Sequence, residues 1–106
     1  MITIIESPIF TKLWSDYWSE DERGEFSVWI AEHPDAGDVV PGSGGVRKVR
    51  WVCKRQGKRG GVRVVYFTAP NKGLIWLLTI YAKSNKENIP AHILKALKEE
   101  LINDYG

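Results

Sequence analysis

Three runs rich in β-branched, leucine and aromatic residues, Val46–Cys53, Val62–Ala69 and Leu74–Ala82, follow one another with only short links between them. Runs of this kind read as strands. The first link, Lys54-Arg-Gln-Gly-Lys-Arg-Gly-Gly61, is basic, and Gly60 and Gly61 suit a hairpin. The second, Pro70-Asn-Lys-Gly73, suits a tight turn. Links this short join antiparallel neighbours, since a parallel pair needs a crossover of about a dozen residues or more. An antiparallel sheet is therefore the frame on which the rest of the chain must pack.

The remaining segments supply one more strand and the helices. Ile2–Ile5 is a short β-branched run and predicts a first strand. Ser7-Pro8 predicts a helix start, with serine as cap and proline where its missing N–H costs nothing. That helix should run from Pro8 to about Tyr17, with Ile9 and Leu13 inward. Ser19 and Glu22 form a capping-box pattern, and Glu20, Asp21 and Glu22 suit the positive end of a helix dipole. The second helix is expected over Glu20–Glu32, with Phe26, Trp29 and Ile30 facing the core. His33-Pro34 should end it, because a residue before proline disfavours helical geometry. Trp18, between the two helices, is expected to be exposed. The glycine- and proline-rich stretch 35–45 reads as a loop. Asn88 and Pro90 open a last helix with Ile93, Leu94, Leu97 and Leu101 at helical spacing. The expected order is βααβββα, an α+β fold with helices on one face of an antiparallel sheet. A chain of 106 residues is expected to form one domain over 1–106.

Composition removes several classes of function. The single cysteine, Cys53, leaves no intrachain disulfide, and with only His33 and His92 besides it no metal site or cofactor is expected. The glycines match neither a Walker loop nor a dinucleotide fingerprint. No apolar run reaches the ~18 residues of a membrane span, and the N-terminus lacks the basic region of a signal peptide. The cytoplasm is the expected compartment.

The net charge of +2 conceals a segregation of signs. Residues 1–42 carry two cations and nine acids, whereas residues 43–86 carry eleven cations and no acid. A segment that excludes every acid creates a positive potential that favours a polyanion or an acidic partner. Side chains alternate along a strand. Burying Val49, Trp51, Val64 and Tyr66 under the helices leaves Lys48, Arg50 and Arg63 together on the open face. Cations on adjacent strands repel one another unless an anion joins them, which points to a phosphate-binding face. Tyr81 and Lys83, at the end of the last strand, are expected at its edge.

Three motifs, Gly37-Asp-Val-Val-Pro-Gly-Ser-Gly-Gly-Val-Arg-Lys-Val-Arg50, Gly57-Lys-Arg-Gly-Gly-Val-Arg-Val-Val-Tyr66 and Leu77-Leu-Thr-Ile-Tyr-Ala-Lys83, resemble the RelE/HigB toxin family, most closely its HigB-type branch. The resemblance covers nearly the whole chain. It implies a small microbial-RNase-like fold and a bacterial type II toxin that cuts mRNA in the ribosomal A site. It also implies a cognate antitoxin, often a helix-turn-helix protein of the HigA type, with the toxin a monomer until the antitoxin assembles it. On the same resemblance, Lys48 and Arg50 match the basic pair of the first long strand, Arg63 the transition-state arginine, and Lys83 the lysine after the last strand. Tyr81 is a substitute for a tyrosine that some members carry in the last helix and that is absent from Ile89–Ala91 here. Ser84 stands where some relatives have arginine. Arg47, Lys54, Arg55, Lys58, Arg59 and Lys86 are expected to contact RNA or the ribosome.

The chemistry these residues can support is metal-independent. RNA cleavage requires a 2′-OH to attack the adjacent phosphorus, with the dianionic transition state stabilised. Guanidinium groups are suited to that stabilisation, being planar, charged and bidentate to phosphate. A lysine among like charges is a candidate base, which makes Lys48 the residue to consider. Two other functions stay open at the level of sequence: a ParE-like gyrase poison on the same fold, and a non-catalytic RNA- or partner-binding module.

Overall fold

Ser7 ties the first helix to the sheet. Its backbone is extended, its Oγ accepts the Phe10 N–H at 3.0 Å and its hydroxyl donates to the Leu78 carbonyl at 2.6 Å. The structure is a computed structural model and describes residues 2–52, 61–82 and 89–105. Strand β1 (Thr3–Glu6) leads into α1 (Pro8–Leu13), which tightens into a 3₁₀ turn over Trp14–Asp16 rather than continuing to Tyr17. Phe10 takes the buried position, and Ile9 is 41% exposed. The early end of α1 turns the chain back over the sheet. Trp18 is therefore buried at 2% exposure, against Phe10 at 6.1 Å and Phe26 at 5.1 Å, which corrects the expectation that it is exposed.

Helix α2 (Glu20–Glu32) has the expected bounds. Ser19 Oγ accepts the Glu22 N–H at 3.2 Å and Glu22 accepts the Ser19 N–H at 3.1 Å, so the capping box is closed. Phe26 and Ile30 are fully buried, and Trp29 is partly so. His33 ends the helix, exposed, with its Nδ1 2.9 Å from the Trp29 carbonyl oxygen.

The other strands are β2 (Asp38–Val39), β3 (Arg47–Trp51), β4 (Val62–Ala69) and β5 (Leu74–Ala82), followed by α3 (Ala91–Tyr105). They form one five-stranded sheet in the order β1-β5-β4-β3-β2. Strands β2 to β5 are antiparallel as the short links require, but β1 joins the far edge parallel to β5. The sheet is thus mixed, and the long stretch of chain between β1 and β5 provides the connection that parallel pairing needs. The turn into β5 ends on Gly73 at φ 64°, a left-handed geometry that favours glycine. Cys53 and the glycine-rich basic link lie outside the described residues, apart from Gly61 at its end.

The class is α+β, but the helices cover both faces of the sheet, which corrects the expectation of one. On one face Phe10, Trp18, Phe26 and Ile30 pack on Val49, Val62, Val64, Tyr66, Ile75, Leu77 and Ile80. On the other, Leu94 is fully buried and Leu101 and Ile102 pack with it on Val46, Val65, Phe67, Trp76 and Leu78. The cause lies in β5, which is apolar at nearly every position and leaves two faces to cover. A register shift between Val65 and Tyr66 adds to this: Leu78 falls between Leu77 and Thr79 without a partner on β4 and joins the second face. Phe67 and Trp76, opposite each other, stack at 4.7 Å under α3. The α3 side chain of Lys98 also donates to the Gly44 carbonyl at 2.6 Å, fastening the glycine loop before β3. Among the described residues no helix is long and apolar enough to cross a membrane.

A candidate anion-binding site at the end of the sheet

Strand register determines which cations meet. Arg50 of β3 stands opposite Arg63 of β4, and Arg63 stands opposite Tyr81 of β5. Directly opposed residues share a face, with Cβ atoms about 4.5–5.5 Å apart. Arg50, Arg63 and Tyr81 therefore form a row across three strands. Lys48 lies two residues from Arg50 on the same face, opposite Val65. This face is the one that α3 covers further along, and the row lies toward the end of the sheet marked by Trp51, Val62 and Ala82. Arg50 is exposed; Lys48, Arg63 and Tyr81 are half-buried. Among the described residues, no carboxylate forms an ion pair with Lys48, Arg50 or Arg63. The Glu6 carboxylate of β1 is used elsewhere, in its pair with Arg23 of α2 at 2.7 Å.

Two opposed guanidiniums with an adjacent ammonium are a geometry for a tetrahedral oxyanion. Each arginine can offer paired N–H donors to phosphate oxygens. The placement of Lys48, Arg50 and Arg63 on one face agrees with the alternation read from the sequence. Lys54, Arg55, Lys58, Arg59, Lys83 and Lys86 lie outside the described residues.

Arg47 is placed differently from these four. It stands opposite Tyr66, away from Lys48 and Arg50. Its guanidinium donates to the Gly37 carbonyl at 2.7 Å and the Asp35 carbonyl at 3.3 Å, and lies 3.6 Å from the Asp35 carboxylate. It thus braces the chain leading into β2. Tyr66 completes the brace: its hydroxyl accepts the Gly37 N–H at 2.9 Å and donates to the Pro34 carbonyl at 2.8 Å. Burial pushes the Tyr66 phenol above its ordinary range, and the Gly37 N–H partly offsets that by favouring the phenolate. A Cβ on Gly37 would lie 2.9 Å from both the Lys48 carbonyl oxygen and the Tyr66 ring, so only glycine fits there without a shift.

Strand β2 is the element of this region that sequence reasoning missed. Its two residues sit within the stretch 35–45, where turn residues dominate. The signal was Asp38-Val-Val40 ahead of Pro41, a short β-branched run before a turn. β2 places Asp38 opposite Lys48, on the face of the cationic row. His33 and His92 are both exposed, and among the described residues no group of three or more His, Cys, Asp or Glu could hold a metal.

The sequence matches no family model. The fold is RelE-like. The chain is similar to the structure of the E. coli toxin RelE, in a double arginine-to-alanine mutant solved in the free state. The two share a TM-score of 0.56 at 16% sequence identity, over 97% of this chain and 96% of that one.

Proposed function

We propose that this chain is the toxin of a type II toxin–antitoxin system and acts as an endoribonuclease on mRNA in the ribosomal A site. The observation that carries this reading is the opposed Arg50–Arg63 pair, with Lys48 and Tyr81 beside it, toward the Trp51, Val62 and Ala82 end of a RelE-like sheet. The arginines hold the scissile phosphate and stabilise the extra negative charge of the transition state. Tyr81, half-buried next to Arg63, offers a ring edge and a hydroxyl to the adjoining nucleotide. Lys48 neutralises the neighbouring backbone phosphate. Lys83 extends the same end of the sheet in sequence, while Lys54, Arg55, Lys58, Arg59 and Lys86 add attraction for rRNA and mRNA. A site with few catalytic groups suits a substrate whose geometry the ribosome supplies in advance.

On this reading the chain is a single toxin domain of the cytoplasm, requires no metal and is silenced by a cognate antitoxin, of the helix-turn-helix type in the HigB-like branch. Mapping mRNA 5′ ends after induction of the chain tests it. Cuts in register with codons support the ribosome-dependent nuclease. Intact mRNA with trapped gyrase would establish a gyrase poison instead, and intact mRNA without DNA damage a binding module.

A further inference from the structure

The cationic row binds and stabilises phosphate, but arginines do not accept protons at neutral pH. Strand β2 brings a group that does. Asp38 is paired in register with Lys48, so its side chain emerges on the face that carries Arg50 and Arg63. It is exposed, and among the described residues it forms no ion pair with Lys48. Its position is nevertheless built. A strand of two residues has little pairing of its own, yet Tyr66 and Arg47 grip Gly37 immediately before it. After it, the Val40 N–H donates to the Val46 carbonyl at 2.8 Å, and Ser43 Oγ donates to the Val40 carbonyl at 2.6 Å while accepting the Val46 N–H at 3.0 Å. The groups around Asp38 are Lys48 across β3, Arg47 and Asp35 in the brace, and the Tyr66 phenol, which senses the Asp38 charge.

We propose that Asp38 is the base that accepts the 2′-hydroxyl proton, an assignment that rests on the endonuclease reading above. The proton passes from the 2′-oxygen to the Asp38 carboxylate as that oxygen bonds to phosphorus. The P–O5′ bond breaks, its electron pair stays on the 5′-oxygen, and that oxygen takes a proton from water. The products are a 2′,3′-cyclic phosphate and a 5′-hydroxyl end, and Asp38 returns its proton to solvent. Lys48, opposite, holds the phosphate close to the carboxylate instead of serving as the base.

The test is single-turnover cleavage of ribosome-bound mRNA by the full chain, its D38N and D38E forms, and binding of the same mRNA with a 2′-deoxy nucleotide at the cut. General bases typically contribute about 100–10,000-fold. D38N should therefore cleave at least ~100-fold more slowly while binding the 2′-deoxy mRNA within about twofold of wild type. D38E, which keeps the carboxylate, should retain about a tenth of the rate or more. Equal thermal unfolding of D38N and wild type shows that the exposed substitution leaves the fold intact. A D38N rate within about threefold of wild type, or a loss matched by weaker binding, overturns the assignment while leaving the endonuclease in place. Wild-type protein that cuts no ribosome-bound mRNA overturns the endonuclease and Asp38's role with it.

Discussion

Arg50 and Arg63 face each other across β3 and β4 with no carboxylate among the described residues to neutralise either. A like-charge pair directly opposite in a sheet destabilises the unliganded fold. Replacing Arg50 by Gln should raise stability. Cross-strand charge pairs are worth about 0.2–1 kcal/mol, and the exposure of Arg50 places this one near the low end through solvent screening. The expected rise in Tm is ~1–3 °C for a domain of this size. Phosphate should raise the wild-type Tm and move that of R50Q less. A fall in Tm for R50Q would show that Arg50 is bound to the protein rather than held for an anion.

Arg63 is the half-buried member of the pair and lies between Arg50 and Tyr81. Its removal should cost the transition state most. Arg63→Ala should slow cleavage ~100–1,000-fold, equivalent to ~2.7–4 kcal/mol. Cells expressing it without antitoxin should then grow where the wild-type chain arrests them. Full toxicity from a folded Arg63→Ala protein would remove Arg63 from the mechanism.

Salt should weaken RNA binding steeply. If about five cationic side chains meet phosphates on a single strand, log K falls with log salt at a slope near −3.5. Arg50→Gln should lower that slope by about 0.7, one contact's worth. Lys58→Ala and Arg59→Ala should lower it too without moving the cut site. A slope near zero would point to an apolar protein–protein surface as the main contact.

The parts of this molecule that were legible in the sequence are those whose physics is local. Ser7 with Pro8 and Ser19 with Glu22 marked both helix starts because a cap is decided within four residues. Alternation along β3 and β4 put Lys48, Arg50 and Arg63 on one face because side-chain direction repeats every two residues. What the sequence concealed depends on distant partners. The parallel pairing of β1 to β5 involves residues about 70 apart in the chain, and local pattern cannot supply it. The second helical layer was written in β5, where Leu74–Ala82 lacks the polar alternation of a half-exposed strand. The burial of Trp18 follows from where α1 stops, which its own composition does not determine. Sequence likewise shows the charge of Arg47 but not Asp35 and Gly37 beside it.

The Tyr66 brace can be tested by its response to alkali. Tyr66→Phe removes the hydroxyl that serves Gly37 and Pro34 and leaves the buried Gly37 N–H without that partner. An unsatisfied buried donor costs about 1–3 kcal/mol, so urea unfolding at neutral pH should show a loss of that size. The sign of the pH effect follows from the direction of the shift. Burial raises the Tyr66 phenol above the ~10 of an unfolded chain, so the folded state holds its proton more tightly. That contribution is complete below the unfolded value and is lost as pH rises through the folded one. The stability gap between wild type and Tyr66→Phe should therefore be constant up to about pH 10 and shrink beyond it. Because Tyr66 grips Gly37 just before Asp38, the variant should also slow cleavage more than it weakens RNA binding. A gap that stays constant through pH 11 or above would show that Tyr66 titrates alike in the folded and unfolded chains and would remove the alkaline part of its role.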